Sequence, residues 1–230
     1  MTANRDPKVH RILGIPVSLQ GLTDSEARLR AFEPENPKLF VPRTVGAGWD
    51  LNVGALAVRL GLLRPDDSIP DLAEHIPSTT VNTLRAAPLV GAVAVIAAGV
   101  YAAQRYEQMP TNWGLTFRPT RWGSGTAAMI PPVVISVGAG LWSEITSRRA
   151  IAQQSKPTVD VTTSAQAIGL QALSLVLIAA AARQVNNDNA SNPMVLTGVL
   201  IAPAVTTGVL VTTVRSALRR VERKLRRKTV

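Results

Sequence analysis

The chain has 230 residues, no cysteine and only two histidines, His10 and His75. Disulfides, thiolate metal sites and cysteine nucleophiles are thereby excluded. The histidines lie far apart in a polar region with no nearby ligand set, so neither a metal nor a cofactor is expected. Charge is the scarcity that matters most. Residues 86–104, 122–143, 161–182 and 189–214 contain no charged side chain at all, in a chain that is 17% charged overall.

Those uncharged runs are 19, 22, 22 and 26 residues long, and a helix needs about 20 apolar residues to cross the hydrocarbon layer. They are rich in Ala, Val and Gly, and apolar all round. Soluble helices are usually shorter and carry a polar stripe. The mean hydropathy of only +0.16 reflects dilution by the polar first 85 residues. The sequence therefore predicts an all-α integral membrane protein with four transmembrane helices, at about 86–104, 124–143, 163–182 and 193–214. A small N-terminal region (1–85) precedes them and a basic amphipathic tail (215–230) follows. The first apolar run begins too late for a secretory signal, so the first span is expected to be retained.

Basic residues fix the expected orientation. Ten precede the first span, three lie in the first loop (Arg105, Arg118, Arg121), three in the second (Arg148, Arg149, Lys156), one in the third (Arg183) and eight in the tail. The positive-inside rule then places both termini in the cytoplasm and the first and third loops outside, with the cell membrane as the location. The net charge of +10 and pI of about 11.1 do not signal nucleic-acid binding, because the first 85 residues hold ten basic and ten acidic side chains and offer a phosphate backbone no excess charge. Most of the excess lies in the tail. There Arg219, Arg220, Arg223, Lys224, Arg226, Arg227 and Lys228 surround Val214, Leu218, Val221 and Leu225. That spacing predicts a helix lying in the membrane interface with its basic groups on an anionic leaflet; an acidic protein is the competing partner.

No ionisable residue falls within the spans, so no proton relay or ion path is marked. Gln166, Gln171, Ser174, Ser136 and Thr206, Thr207, Thr212 and Thr213 are expected to hydrogen-bond between helices. The pairs Ala165/Gly169, Ala204/Gly208 and Ser136/Gly140 are spaced for close helix approach. Pro131, Pro132 and Pro203 are expected to bend their helices. In the N-terminal region, Thr23-Asp-Ser-Glu26 resembles a capping box opening a helix over 27–32, and residues 51–63 carry a second helical pattern. Between them three prolines favour extended backbone over 34–42. Asn189-Ala-Ser191 has the form of a glycosylation acceptor, and Asp188 alone is too little for a calcium site.

Trp113, Phe117 and Trp122 crowd the first loop together with Arg118 and Arg121. Two readings stand side by side. Aromatics can anchor the loop on the bilayer surface, or they can supply contact area while the arginines meet a carboxylate or phosphate of a ligand.

Two segments resemble known families. Residues 36–54, Asn-Pro-Lys-Leu-Phe-Val-Pro-Arg-Thr-Val-Gly-Ala-Gly-Trp-Asp-Leu-Asn-Val-Gly, resemble a short domain of unknown function in bacterial membrane proteins, with Leu39-Phe-Val-Pro42 and Gly46-x-Gly-Trp-x-Leu-Asn52 in place. The first loop is similar to the corresponding loop in the leading domain of the Sdp immunity-protein family. Pro110, Thr111, Trp113, Gly114, Arg118, Pro119, Arg121 and Trp122 match; Asn112, Phe117 and Thr120 stand where that family usually has His, Gly and Asp. The resemblance implies a bacterial multi-span protein of immunity type, whose relatives protect cells from a secreted toxic peptide and relay its presence to a cytoplasmic repressor. No nucleophile with a base, metal cluster or paired carboxylates points to an enzyme. The expectation is a binding or signal-relay component; a subunit of a small transporter or channel is the alternative.

Overall fold

Four long helices dominate the molecule, and their surface chemistry is inverted relative to a soluble bundle. The structure is a computed structural model and describes residues 10–153, 157–187 and 190–228. Lys156, Asp188, Asn189 and the side chain of Lys228 lie outside the described residues. The chain divides into two compact units, one ending at Ala73 and one beginning at Glu74.

The first unit corrects the all-α expectation, since it carries five short strands as well as helices. They are β1 (His10–Ile12), β2 (Ile15–Ser18), β3 (Phe40–Pro42), β4 (Gly46–Ala47) and β5 (Trp49–Leu51), interleaved with α1 (Ser25–Leu29) and followed by α2 (Val53–Arg59) and α3 (Ile69–Leu72). One antiparallel sheet runs β1-β2-β4, and β3 pairs with β5. The helix expected over 27–32 begins earlier, at Ser25, and passes into a 3-10 turn over Arg30–Phe32; Asp24 rather than Thr23 caps it, accepting a bond from the Glu26 N–H at 2.9 Å. The 51–63 pattern is split, with Trp49–Leu51 in strand and Asn52 capping α2.

The second unit holds α4 (Ser78–Arg105), β6 (Gln108–Trp113), β7 (Pro119–Ser124), α5 (Gly125–Ala152), α6 (Val161–Gln184) and α7 (Pro193–Lys228). All four helices are long and apolar enough to cross a membrane. Val90, Val93, Tyr101, Ile130, Val134, Leu141, Val199 and Leu200 point outward, whereas Ser136, Ser143, Ser164, Ala165 and Gln171 are buried. Large apolar groups outside and small or polar groups inside suit lipid as the solvent, because hydrocarbon gives helices no hydrophobic drive to associate and small residues let backbones close up. The chain is a multi-pass membrane protein.

Close approach is visible at named positions. A side chain on Gly169 would collide with Thr206 Oγ1 and with Ala202 O, so α6 and α7 touch backbone to backbone there. Gly140 sits against Pro88 O and Ala92, bringing α5 onto α4. Gln171 of α6 donates to Pro88 O at 2.6 Å and Ser136 O at 3.4 Å, tying three helices at one buried amide. The third small pair behaves differently, since Ala204 and Gly208 are exposed and nothing lies near Gly208. Nor do most hydroxyls bridge helices. Thr206 reaches Ala165 O, but Ser174, Thr207, Thr212 and Thr213 bond carbonyls three or four residues back in their own helix. Gln166 faces out. A helical carbonyl one turn back is always within reach of such a hydroxyl, so a partner helix must outcompete it.

Candidate functional site

The first loop is a β-hairpin built on the bundle's end. Met109, fully buried, packs with Val95 and Ala102 of α4, Ala128 and Met129 of α5 and Ile178 and Ala181 of α6. Gly125 closes the base: its N–H donates to Glu107 O at 3.0 Å, and any side chain there would strike Tyr106 O. Ser124 caps α5 through the Ala127 N–H at 3.2 Å. The hairpin is thus held at its root by one methionine plug and a glycine contact that no larger residue permits.

The strands pair Pro110 with Trp122, Asn112 with Arg121 and Trp113 with Pro119, with irregularities on both sides of Asn112. The bulges rotate successive side chains out of simple alternation. Arg118 and Arg121 consequently both end exposed, while Trp113, Phe117 and Trp122 are half-buried. Among the described residues neither Arg118 nor Arg121 makes an ion pair. Phe117 holds positive φ, 56°, in a turn closed by Gly114 N–H to Arg118 O and Phe117 N–H to Gly114 O, both 2.9 Å.

What the sequence alone does not reveal is that this tip is fastened to the loop between α6 and α7. The Asn192 N–H donates to Phe117 O at 2.9 Å, and Ser191 Oγ donates to Thr116 O at 2.8 Å. Asn192 is itself buried, giving its amide to Ala180 O at 2.9 Å and accepting from the Met194 N–H at 3.1 Å. Buried Gln184 satisfies Asn187 O at 2.6 Å and Ala190 O at 3.0 Å. Two carboxamides therefore shape the α6–α7 loop and present it to the first loop. Beside them a cleft of about 480 Å³ is lined by Arg105, Tyr106, Glu107, Gln108, Val185 and Asn186. It offers a cation, an anion, a phenol and amides at the same end of the bundle.

The basic tail is helical, as the spacing predicts, and joins the bundle. Helix α7 continues unbroken from Pro193 to Lys228, and its extension makes polar contacts with the start of α4 and with Ile76 just before it. Val214 and Ala217 are buried, Ser216 Oγ lies 3.4 Å from Thr80 Oγ1, and Arg220 donates to Ile76 O at 3.2 Å. Arg219, Arg223, Lys224, Arg226 and Arg227 are exposed and Arg220 is half-buried. A groove of about 500 Å³ is lined by His75, Val221, Lys224, Leu225 and Arg227. At that same end Glu144 joins Arg85 of α4 at 3.2 Å and Arg148 of α5 at 2.7 Å.

In the first unit, Asn52 is the most heavily bonded side chain. Its Oδ1 accepts from the N–H groups of Glu33, Gly54 and Ala55 at 3.0, 3.1 and 3.2 Å, and its Nδ2 donates to Glu33 O and Asn36 O at 2.9 and 3.1 Å. Gly46 and Gly48 adopt φ of 98° and 102°, and Gly54 abuts the Glu33–Pro34 backbone. The Gly-x-Gly-Trp-x-Leu-Asn run thus encodes local architecture.

Residues 34–59 match a family model described as "Family of unknown function (DUF5808)". No curated protein and no solved structure matches the chain.

Proposed function

We propose that the protein is a binding or signal-relay component of the bacterial cell membrane, with both termini in the cytoplasm and the β6–β7 hairpin outside. The observation that carries the reading is the pinned hairpin tip. Holding Thr116 and Phe117 on the α6–α7 loop restricts the tip before any ligand arrives, which lowers the ordering cost of binding. It leaves Arg118 and Arg121 exposed to meet a carboxylate or phosphate, with Trp113, Phe117 and Trp122 supplying contact area. A peptide is the proposed ligand class, and the loop that holds the tip leads directly into α7.

The far end of α7 completes the proposed relay. At 1.5 Å per residue, Val221 and Arg227 stand roughly 10 and 20 Å past Val214 along the helix. The headgroup layer is only about 5–7 Å deep on each side. In this reading Arg219 and Arg220 meet anionic lipid, whereas Lys224, Arg226 and Arg227 are offered to an acidic cytoplasmic regulator.

Changing Arg118 and Arg121 together to Gln tests the outer site. Peptide binding should be lost while thermal stability changes by less than about 1 kcal/mol, since exposed charges contribute little to folding. Trp122→Ala should instead lower stability, because Trp122 is half-buried against Pro110. Arginine variants that retain full binding would remove the hairpin from the reading.

A second reading, a transporter or channel subunit, has one observation in its favour. Among the described residues the hydroxyls of Ser136, Ser147, Thr162 and Thr163 are buried without a partner, and such groups call for water. Solute flux into liposomes carrying the purified protein would favour it.

A further inference from the structure

The unit ending at Ala73 leaves large apolar side chains outside along a continuous rim. Strands β1 and β2 meet at Leu13–Gly14, where both residues have positive φ, 52° and 82°. Such hairpin turns are ordinarily given to Asn-Gly or Asp-Gly, because a branched side chain is strained there. Leu13 is nevertheless 98% exposed, and the cross-strand pair behind it, Ile12 and Ile15, is 63% and 44% exposed. An asparagine at position 13 would remove both the backbone strain and the exposed leucine. Beyond the pair, the register that sets Val17 opposite Ala47 carries the Gly48 N–H onto Pro16 O at 2.8 Å and brings Trp49 to the level of Ile15. Trp49 shares a face of the β3–β5 pair with Phe40, and they are 51% and 65% exposed.

Two facts select the occupant of this rim. The first is the tether. Four residues separate Ala73 from α4, and the uncharged stretch begins at residue 86. Four extended residues and eight helical ones reach about 26 Å, less than the roughly 30 Å diameter of a 73-residue unit. The tether therefore holds the unit within about its own diameter of the bilayer, at high effective concentration. The second is charge. Residues 1–73 hold nine basic and nine acidic side chains, so the unit has no net charge with which to seek an oppositely charged partner.

We propose that this rim docks the N-terminal unit on the lipid surface of the membrane its own chain spans, with Leu13 inserted below the headgroups and Trp49 and Phe40 at the interface. The attachment is apolar and differs in kind from the electrostatic contact assigned to the tail.

The cysteine-free chain makes the test direct. Full-length protein bearing Leu13→Cys and a polarity-sensitive fluorophore is placed in bilayer nanodiscs with nitroxide-labelled lipid, and Ser25→Cys, exposed elsewhere on the unit, serves as the reference. The label at position 13 should emit blue-shifted and be quenched several-fold more strongly than at 25, equally in neutral and anionic lipid and at low and high salt. Leu13→Asn keeps the turn geometry, so the unit folds; added to a chain labelled at Trp49→Cys, it should cut lipid quenching there by at least half. Emission at position 13 typical of water overturns the proposal. So does a blue shift without lipid quenching, which would mean that protein covers the rim, and so does an unchanged Trp49→Cys signal with Leu13→Asn.

Discussion

Single buried amides and single glycines decide the local structure of both units. Asn52→Ala would leave the N–H groups of Glu33, Gly54 and Ala55 and the Asn36 carbonyl without this partner at a fully buried position, while Glu33 O keeps the Asn36 N–H at 3.2 Å. With each orphaned buried group costing about 1–3 kcal/mol before relaxation, a loss of at least about 3 kcal/mol is expected, seen as rapid proteolysis of residues 10–73 while the helical bundle survives. Asn52 stands out in sequence only as the last letter of a motif; its five partners lie up to 19 residues away. Within the bundle, Gly169→Ala should destabilise by about 1–3 kcal/mol through overpacking against Ala202 O, whereas Gly208→Ala should be neutral or mildly stabilising because it meets open space. Thermal unfolding in detergent compares the two. The spacing of small residues suggests both pairs equally; which pair faces a neighbour depends on helix rotation, and the sequence pattern does not encode that.

At the scale of elements, the spans were legible and their ends were not. Uncharged runs mark what hydrocarbon tolerates, but helices continue into water wherever the backbone can. Thus α4 starts at Ser78 and α5 ends at Ala152, past Arg85, Glu144 and Arg148, whose ion pairs join the helix extensions. Cation–aromatic contacts of 5.7 Å, Arg105 over Tyr106 and Arg149 over Trp142, mark opposite ends of the bundle. Helix α7 is the clearest case. Its tail reads as amphipathic, and of that apolar face Val214 is buried while Leu218 and Val221 are half-buried and Leu225 stays exposed; two polar contacts, Ser216 with Thr80 and Arg220 with Ile76 O, join it to the start of α4. Cysteines replacing Thr80 and Ser216, whose hydroxyls lie 3.4 Å apart, should form a disulfide readily under mild oxidation. Failure to cross-link would mean that the tail turns away onto the membrane surface. The β6–β7 hairpin escaped notice for another reason: Pro110 sits inside strand β6, which ordinarily argues against pairing, and two irregularities blur the alternation.

For the whole molecule, charge asymmetry and hairpin docking bear on one topology. The β6–β7 hairpin and the α6–α7 loop are bonded to each other, so they must lie on the same side, and Arg220 bonded to Ile76 O likewise puts the tail with the start of α4. What the contacts leave open, the distribution of arginine and lysine addresses. The most direct test uses single cysteines at four exposed positions in this cysteine-free chain: Thr120, Ala190, Gln153 and Ser25. An impermeant thiol reagent applied to intact cells should label the first two, and should reach the other two only after lysis. Labelling of Gln153 from outside, or failure of Thr120 and Ala190 to react until cells are opened, would contradict the account.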